Sequence, residues 1–209
     1  MLDNLLNALI RNKPWLIRTL VFIDCVVIVL VAVSGFWPRY WYQLASKAGN
    51  LSVLFLVLTL LPGILARFSV DGGFLADGWL LKIRVLLMSL RRYFGINMYL
   101  FGFFHYLWLR VLPSMLLSRG SMLAKNLFEV FGWLVLLVGL PLFLTSNDWS
   151  VKKLGRLWKR LQNFVFLMML FLIGHLLLLS QLEPITILLI VLTFAELTSW
   201  FFYWRKKKA

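Results

Sequence analysis

The sequence predicts an all-α integral membrane protein, a bundle of six transmembrane helices with both termini in the cytoplasm. Hydrophobic residues make up 62% of the 209-residue chain and charged residues only 14%, which is too little polar surface for a water-soluble domain of this size. The length suits one domain, residues 1–209. The net charge of +14 falls in short clusters between apolar stretches, so it indicates membrane orientation and not nucleic-acid binding.

Six apolar stretches are long enough to cross ~30 Å of hydrocarbon as helices. We expect these spans at residues 15–37, 50–66, 93–113, 127–145, 163–181 and 184–204. The first follows basic residues, as a signal peptide does, but its apolar part is too long and no small-residue cleavage site follows. We therefore expect a retained helix there. The second span is short, and the Pro62-Gly63 pair is expected to kink it.

The segment between the second and third spans, residues 73–90, is apolar but interrupted by charges. These are Asp77, Lys82 and Arg84. The pattern predicts an amphipathic segment that lies at the membrane interface and not a seventh span.

The distribution of basic residues predicts the orientation of the spans. If the N-terminus, the loops after the second and fourth spans and the C-terminal tail share one side, that side holds all 22 Lys and Arg except Arg39, Lys47, Arg110, Arg119 and Lys125. The positive-inside rule then places both termini in the cytoplasm. The third and fifth spans therefore run outward.

The chain has only two histidines, and both lie inside apolar spans. His105 is twelve residues beyond Tyr93 in the third span, and His175 is twelve residues beyond Asn163 in the fifth. Each histidine therefore lies roughly 18 Å from the inner boundary, in the outer half of the membrane. Two ionisable side chains at one depth are candidates for a shared ligand, a proton path or structural hydrogen bonds.

A shared ligand would have a specific form, because neutral imidazole binds iron and two axial histidines are typical of a b-type haem in electron transfer. Glycines on the His105 face would remove bulk where a porphyrin approaches, although close helix packing uses glycine in the same way. We expect the haem pocket to include these residues: Gly95, Met98, Gly102, Met168, Phe171 and Arg110. Arg110 would either meet a haem propionate or be an ordinary interfacial arginine.

The two histidine-bearing stretches resemble known motifs. Arg91-Arg92, Gly95 and His105 are similar to the "RRxxG…H" helix of the ferric reductase-like transmembrane domain. The stretch "LTSNDWSVKKLGRLWKRLQNFVFLMMLFLIGH" is similar to the "LTS…LG…W…LHNFVY…H" pattern of haem-binding subunits of the bacterial periplasmic methionine sulfoxide reductase system. "LVLTLLPGILAR" resembles their second helix. The resemblance covers about residues 49–175, and the ferric reductase-like core is expected at about residues 49–181.

The resemblance implies a multi-pass protein of the bacterial inner membrane. It would bind haem b through His105 and His175 and pass electrons to a periplasmic, molybdopterin-containing reductase that repairs oxidised methionines. The chain departs from the family pattern at Gln162, where the pattern has a histidine. This departure, with no inner histidine in the third span, predicts one haem per chain near the outer face.

A single outer haem would need a carrier at the inner side, because roughly 18 Å of helix separates it from the inner boundary. The candidates are a quinol or a flavin such as FMN, reduced by a cytoplasmic flavin reductase. Basic and polar side chains at this boundary would either hold the carrier or set topology alone: Arg91, Arg92, Arg156, Lys159 and Gln162. Asp24 and Glu196 are expected at similar depth. They would either exchange protons with a quinol or form structural hydrogen bonds.

Other functions stay open at this point. The sequence has no glycine-rich nucleotide motif, so a redox subunit would act with a separate catalytic partner. A self-contained reductase of ferric chelates or oxygen is one alternative, and a haem-free structural or transport bundle is another. The single cysteine, Cys25, offers no disulfide or cysteine-based metal site.

Overall fold

The computed structural model describes residues 2–33, 38–68, 79–117, 126–180 and 183–208, and every regular element in these ranges is helical. The ten α-helices are α1 Leu2–Arg11, α2 Lys13–Val33, α3 Trp41–Phe68, α4 Trp79–Tyr106, α5 Leu112–Leu117, α6 Leu127–Leu144, α7 Asp148–Leu154, α8 Arg156–Gln162, α9 Phe164–Ser180 and α10 Pro184–Lys208. A short 3₁₀ turn, Pro38–Tyr40, precedes α3, and a π-helical turn, Leu107–Val111, joins α4 to α5. The predicted all-α class is confirmed for these residues.

Five helical segments of the described chain are long and apolar enough to cross a membrane: Pro38–Arg67, Leu81–Leu117, Leu127–Leu144, Arg156–Leu179 and Pro184–Phe202. They correspond to the second to sixth predicted spans, and the chain is a multi-pass membrane protein. The first predicted span is helical as α2, over Lys13–Val33, while its residues 34–37 lie outside the described ranges. A sixth crossing stays a prediction.

The expected interfacial segment does not form a separate element. Residues 73–78 lie outside the described ranges, and from Trp79 the chain is already part of α4, which continues without interruption through His105. Residues 79–90 are therefore continuous with the third span and not a separate segment, and their position at the membrane interface stays a prediction. The physical reason is that no glycine or proline stands between Trp79 and Gly95, and isolated lysine and arginine residues do not break a helix.

The second span is longer than hydropathy indicates. α3 begins at Trp41, and polar residues such as Gln43 and Lys47 are part of it. These residues lower the mean hydropathy of the first turns without lowering helix propensity much. Pro62 lies inside α3, and the helix continues to Phe68.

Two helix pairs form the bundle, with α3 packed along α4 and α6 packed along α9. α10 packs on α3 and α9, and α4 contacts α6. The central core contains Leu56, Leu60, Met98, Met168 and Leu189. Over their described residues, α4 and α9 do not pack extensively against each other, although these two helices carry the histidines.

The end of the bundle opposite the histidines is held by polar contacts between helices. Arg67 at the end of α3 forms an ion pair with the buried Glu196 of α10, and its Nε donates to Ser199 Oγ over 2.7 Å. Glu196 therefore has a structural partner, in agreement with the structural-bond interpretation. At the same end, Trp158 Nε1 in α8 donates to the carbonyl oxygen of Thr145 at 3.0 Å, which fixes α8 against the end of α6.

Candidate functional site

His105 lies near the C-terminal end of α4, with its Nδ1 2.8 Å from the backbone carbonyl oxygen of Ala45 at the start of α3. A carbonyl oxygen only accepts hydrogen bonds, so Nδ1 is the nitrogen that carries the proton. In a neutral imidazole the lone pair then lies on Nε2. The hydrogen bond leaves Nε2 available to a ligand, and a ligating histidine commonly donates its other ring N–H to a carbonyl in this way.

His175 on α9 has the same arrangement. Its Nδ1 lies 2.7 Å from the backbone carbonyl oxygen of Phe128 in the first turn of α6, so this nitrogen is again the donor. The Phe128 ring contributes an aromatic contact, with ring centroids 5.9 Å apart. His175 therefore also keeps its Nε2 lone pair for a ligand.

At each histidine, a glycine allows the imidazole to reach the backbone carbonyl that accepts its hydrogen bond. Gly49 lies one turn beyond the carbonyl that accepts from His105, and Gly132 lies one turn beyond the carbonyl that accepts from His175. A Cβ atom on Gly49 would lie 2.9 Å from His105 Nδ1, and a Cβ atom on Gly132 would lie 3.1 Å from His175 Nδ1. The two helix pairs thus use equivalent combinations of histidine, carbonyl and glycine.

The structure brings His105 and His175 to one end of the bundle, where Tyr106, next to His105, packs on Trp133 of α6 with ring centroids 5.4 Å apart. The histidines belong to two helices that do not pack extensively against each other. Two imidazoles on separate helices, each with a fixed tautomer and an Nε2 lone pair, form a donor set that suits axial coordination of a porphyrin iron. The residues present therefore fit a haem.

The apolar members of the predicted pocket lie below the histidines in the core. Met98 of α4 and Met168 of α9 belong to the same buried cluster. Phe171, one turn before His175, packs against Phe131 of α6, with ring centroids 6.0 Å apart. Methionine suits such a position because its thioether adapts to irregular shapes.

The two predicted pocket glycines face α3. A Cβ atom on Gly95 would lie 4.0 Å from Thr59 Cγ2, which is ordinary contact. A Cβ atom on Gly102 would lie 3.2 Å from Ser52 Oγ, the hydroxyl of which donates to the carbonyl of Met98 at 2.8 Å. These contacts agree with the alternative that the glycines serve close helix packing.

Arg110 forms an ion pair with Glu129, a buried residue of α6 adjacent to Phe128. The π-helical turn contributes to this contact. A π-turn closes i→i+5 hydrogen bonds, so it moves Arg110 towards the face of His105, where an α-helix would bring Leu109. One interpretation of the sequence is that Arg110 contacts a haem propionate. The structure adds Glu129 as a carboxylate partner that the sequence did not indicate.

The predicted carrier-binding residues do not converge on one point. Arg92 Nη1 lies 2.6 Å from Asp148 Oδ1 of α7 in an exposed ion pair. Adjacent residues of a helix point in different directions, so the two arginines face different neighbours. About 20 Å of helix separates Arg92 from His105.

The remaining members of this set lie on α8. Arg156 and Lys159 are exposed, and Gln162 is half-buried at the end of the helix. Among the described residues, Gln162 Nε2 is one of the buried side-chain atoms that has no hydrogen-bond partner. This orphaned amide stands at the position where the family pattern has a histidine.

A second polar contact inside the bundle was not predicted. Asn97 of α4 is only 1% exposed, and its Nδ2 donates to the carbonyl oxygen of Tyr93 at 2.9 Å and to Asp24 Oδ2 at 3.5 Å. Asp24 of α2 therefore approaches the helix that carries His105. An asparagine inside an apolar stretch of α4 was the available signal in the sequence.

Fold and site together define a helical membrane protein with two histidines, each oriented by a backbone carbonyl, whose donor atoms suit a haem. In the part of the chain that the structure describes, no group of three or more His, Cys, Asp or Glu side chains is arranged to hold a metal ion. The site is therefore described by the two imidazoles and the backbone groups that orient them.

Comparison with known proteins gives the same class. The chain is 26% identical over 155 residues to the "Protein-methionine-sulfoxide reductase heme-binding subunit MsrQ" of Brucella melitensis biotype 2 (strain ATCC 23457), and 25% identical over 155 residues to proteins of this name from Brucella ovis and Brucella abortus (strain S19). Each match covers 66% of this chain and 64% of the relative, so the chain spans a little under two-thirds of the relatives' length. No family model and no solved structure matches. The resemblance to these haem-binding subunits is confirmed.

Proposed function

We propose that the chain is a haem b-binding electron-transfer subunit that delivers electrons to a periplasmic methionine sulfoxide reductase. One observation carries the proposal: His105 and His175 lie at the end of the bundle where Arg110 pairs with Glu129, and each donates its Nδ1 proton to a backbone carbonyl. This arrangement leaves two Nε2 lone pairs for one iron. The names of the curated relatives support the same cofactor.

The proposed stoichiometry is one haem per chain, held by His105 and His175 as axial ligands. Haem, when bound, supplies a one-electron carrier. Met98, Met168 and Phe171 would give it an apolar surrounding, and Gly95 and Gly102 would let α3 pack closely on the helix that carries His105. Arg110 would neutralise a propionate in addition to pairing with Glu129.

The proposed direction of electron flow is outward. Lys and Arg are concentrated on the side that carries Arg92 and α8, so this side is proposed to be cytoplasmic, with the N- and C-termini. A quinol or FMN at this inner side would be the donor, bound near Arg91, Arg92, Arg156, Lys159 and Gln162. The acceptor would be a molybdopterin-containing partner in the periplasm of a bacterium.

The test is a pigment assay on the purified full-length chain. We expect one b-type haem per chain, with the low-spin absorption of bis-histidine coordination, and any flavin is measured in the same extract. A chain that takes up no haem would contradict the proposal and favour a haem-free bundle. Reduction of purified protein by quinol, and separately by reduced FMN, identifies the donor.

A further inference from the structure

We infer that Gly49 and Gly132 are positioning residues that set the tautomer and orientation of the two histidine ligands, an inference that rests on the proposed haem-binding function. Each glycine lies one turn beyond a carbonyl that accepts from a histidine Nδ1. Neither glycine stands out in the sequence, because the histidine that each one meets is on another helix.

The reason for glycine follows from helix geometry. Every Cα–Cβ bond in an α-helix tilts towards the N-terminus, so the side chain of a residue covers the turn before its own Cα. A side chain at position 49 would therefore cover the carbonyl of Ala45, and one at position 132 would cover the carbonyl of Phe128. Only a bare Cα leaves these carbonyls open to an imidazole from a neighbouring helix.

The distances support this assignment over general packing. A Cβ atom at Gly49 or Gly132 would meet first the Nδ1 atom that makes the hydrogen bond, at 2.9 Å and 3.1 Å. Another tightly packed glycine, Gly139, would meet the Tyr99 ring at 3.0 Å. Gly139 thus serves helix packing at similar closeness without touching a histidine, and it provides a matched control.

The hydrogen bond has a chemical consequence for the iron. Donation from Nδ1 to a carbonyl gives the imidazole partial imidazolate character and makes Nε2 a stronger donor. A stronger donor favours the ferric state. Loss of one of these hydrogen bonds is therefore expected to raise the midpoint potential and to weaken one axial bond.

The experiment uses the full chain with Gly49→Ala, Gly132→Ala and two control variants. Gly63→Ala in α3 is the control for an added methyl group, since the nearest atom would be Arg67 Nη1 at 3.6 Å. Gly139→Ala in α6 is the control for a tight contact. The first readout is ¹⁵N NMR of the histidine side chains in the protein without haem.

In the unmodified protein we expect Nδ1–H and unprotonated Nε2 at both histidines. Gly49→Ala should abolish the hydrogen-bonded Nδ1–H signal of His105 alone, and Gly132→Ala that of His175 alone. In the haem-loaded protein each variant should show a partial change from low-spin to high-spin absorption and a raised midpoint potential. Gly63→Ala and Gly139→Ala should retain the histidine signals and the low-spin spectrum.

Three results would overturn the inference: unprotonated Nδ1 in the unmodified protein, unchanged histidine signals in Gly49→Ala and Gly132→Ala, or equal effects of Gly139→Ala and Gly132→Ala. The two test sites lie on different helices, so one variant that fails to accumulate leaves the other to decide. If the unmodified chain takes up no haem, the proposed function fails, while the NMR signals still decide how the glycines position the histidines.

Discussion

Arg110 and Glu129 form an ion pair that joins the π-helical turn after His105 to the first turn of α6. Glu129 is 8% exposed, and it is adjacent to Phe128, the carbonyl of which accepts from His175. A single contact between side chains thus connects the chain that follows His105 to the helix that orients His175. Its removal should affect the stability of the histidine end of the bundle.

Glu129→Leu should destabilise the protein, because Arg110 would lose its counter-charge in apolar surroundings. We expect the free energy of unfolding to fall by about 2 kcal/mol, less than the ~3–5 kcal/mol typical of fully buried pairs, since the Arg110 side chain keeps 28% exposure. Unfolding in detergent micelles measures the change. The double variant Arg110→Met/Glu129→Leu is the control, and it should recover most of the loss. A double variant as unstable as the single one would show that Glu129 acts through other contacts.

His105→Ala and His175→Ala should each remove the low-spin spectrum, because one imidazole cannot provide two axial ligands. Absorption and electron paramagnetic resonance spectra of the purified variants check this. Phe103→Ala, an exposed side chain two residues from His105, is the control that should leave the spectrum unchanged. Two haems per unmodified chain, or an unaltered spectrum in both histidine variants, contradicts the assignment.

Gln162→His should create at most a weak additional haem site. The buried Nε2 of Gln162 has no hydrogen-bond partner among the described residues, so replacing this nitrogen would break no hydrogen bond there. α4 offers no histidine at this level, however, and a second axial ligand would be missing. Haem per chain, counted after saturation, should stay well below two. Full occupancy of a second site in the unmodified protein would instead point to a ligand other than histidine.

Arg91→Gln/Arg92→Gln should slow reduction of the haem by quinol or flavin without altering the histidine ligation. Two charge-assisted contacts to the carrier, worth ~1.5–3 kcal/mol each, would be lost. Stability should change little, because the Arg92–Asp148 pair is exposed and such pairs contribute about 0–1 kcal/mol.

Stopped-flow reduction in oriented vesicles measures this effect. Lys152→Gln/Lys153→Gln removes the same charge from α7 at the same end of the bundle. The haem of this control variant should be reduced at the rate of the unmodified protein. Equal rates in the arginine variant and the unmodified protein would assign Arg91 and Arg92 to topology alone.

The proposed orientation predicts where a reporter enzyme is active. A phosphatase that folds only in the periplasm should be inactive when fused after the C-terminal residues and active when inserted at residues 118–125, between the third and fourth spans. The asymmetry of Lys and Arg is the physical reason. The opposite activities would reverse the orientation and with it the proposed direction of electron flow.

Most of the fold could be predicted because lipid imposes one requirement on every span, a long apolar helix. The positions of five spans follow from this requirement alone. The extent of α4 could not be predicted in the same way, since hydropathy falls at Lys82 and Arg84 while the backbone stays helical. Hydropathy reports where lipid is, and not where a helix begins.

In the candidate site, too, some features could be predicted from the sequence and others could not. Counting helix rise from the inner boundary predicted that His105 and His175 lie at one level, on two different spans. The groups that orient them could not be found by any residue pattern, because a backbone carbonyl is present at every position. Gly49 and Gly132 become informative only when their distances to the imidazoles are known. Arg110 meets Glu129 through an irregular helical turn that an ideal 3.6-residue period does not contain.

The π-helical turn Leu107–Val111 also has an evolutionary consequence. A π-turn holds one residue more than the α-helical turn it replaces, so the chain has a surplus residue at this place. Deletion of one residue here would restore a regular helix and change which residue of the turn faces α6, while α5 would keep its orientation. Single-residue gaps in alignments of relatives should therefore concentrate beside His105, and they should coincide with loss of a carboxylate at the position of Glu129.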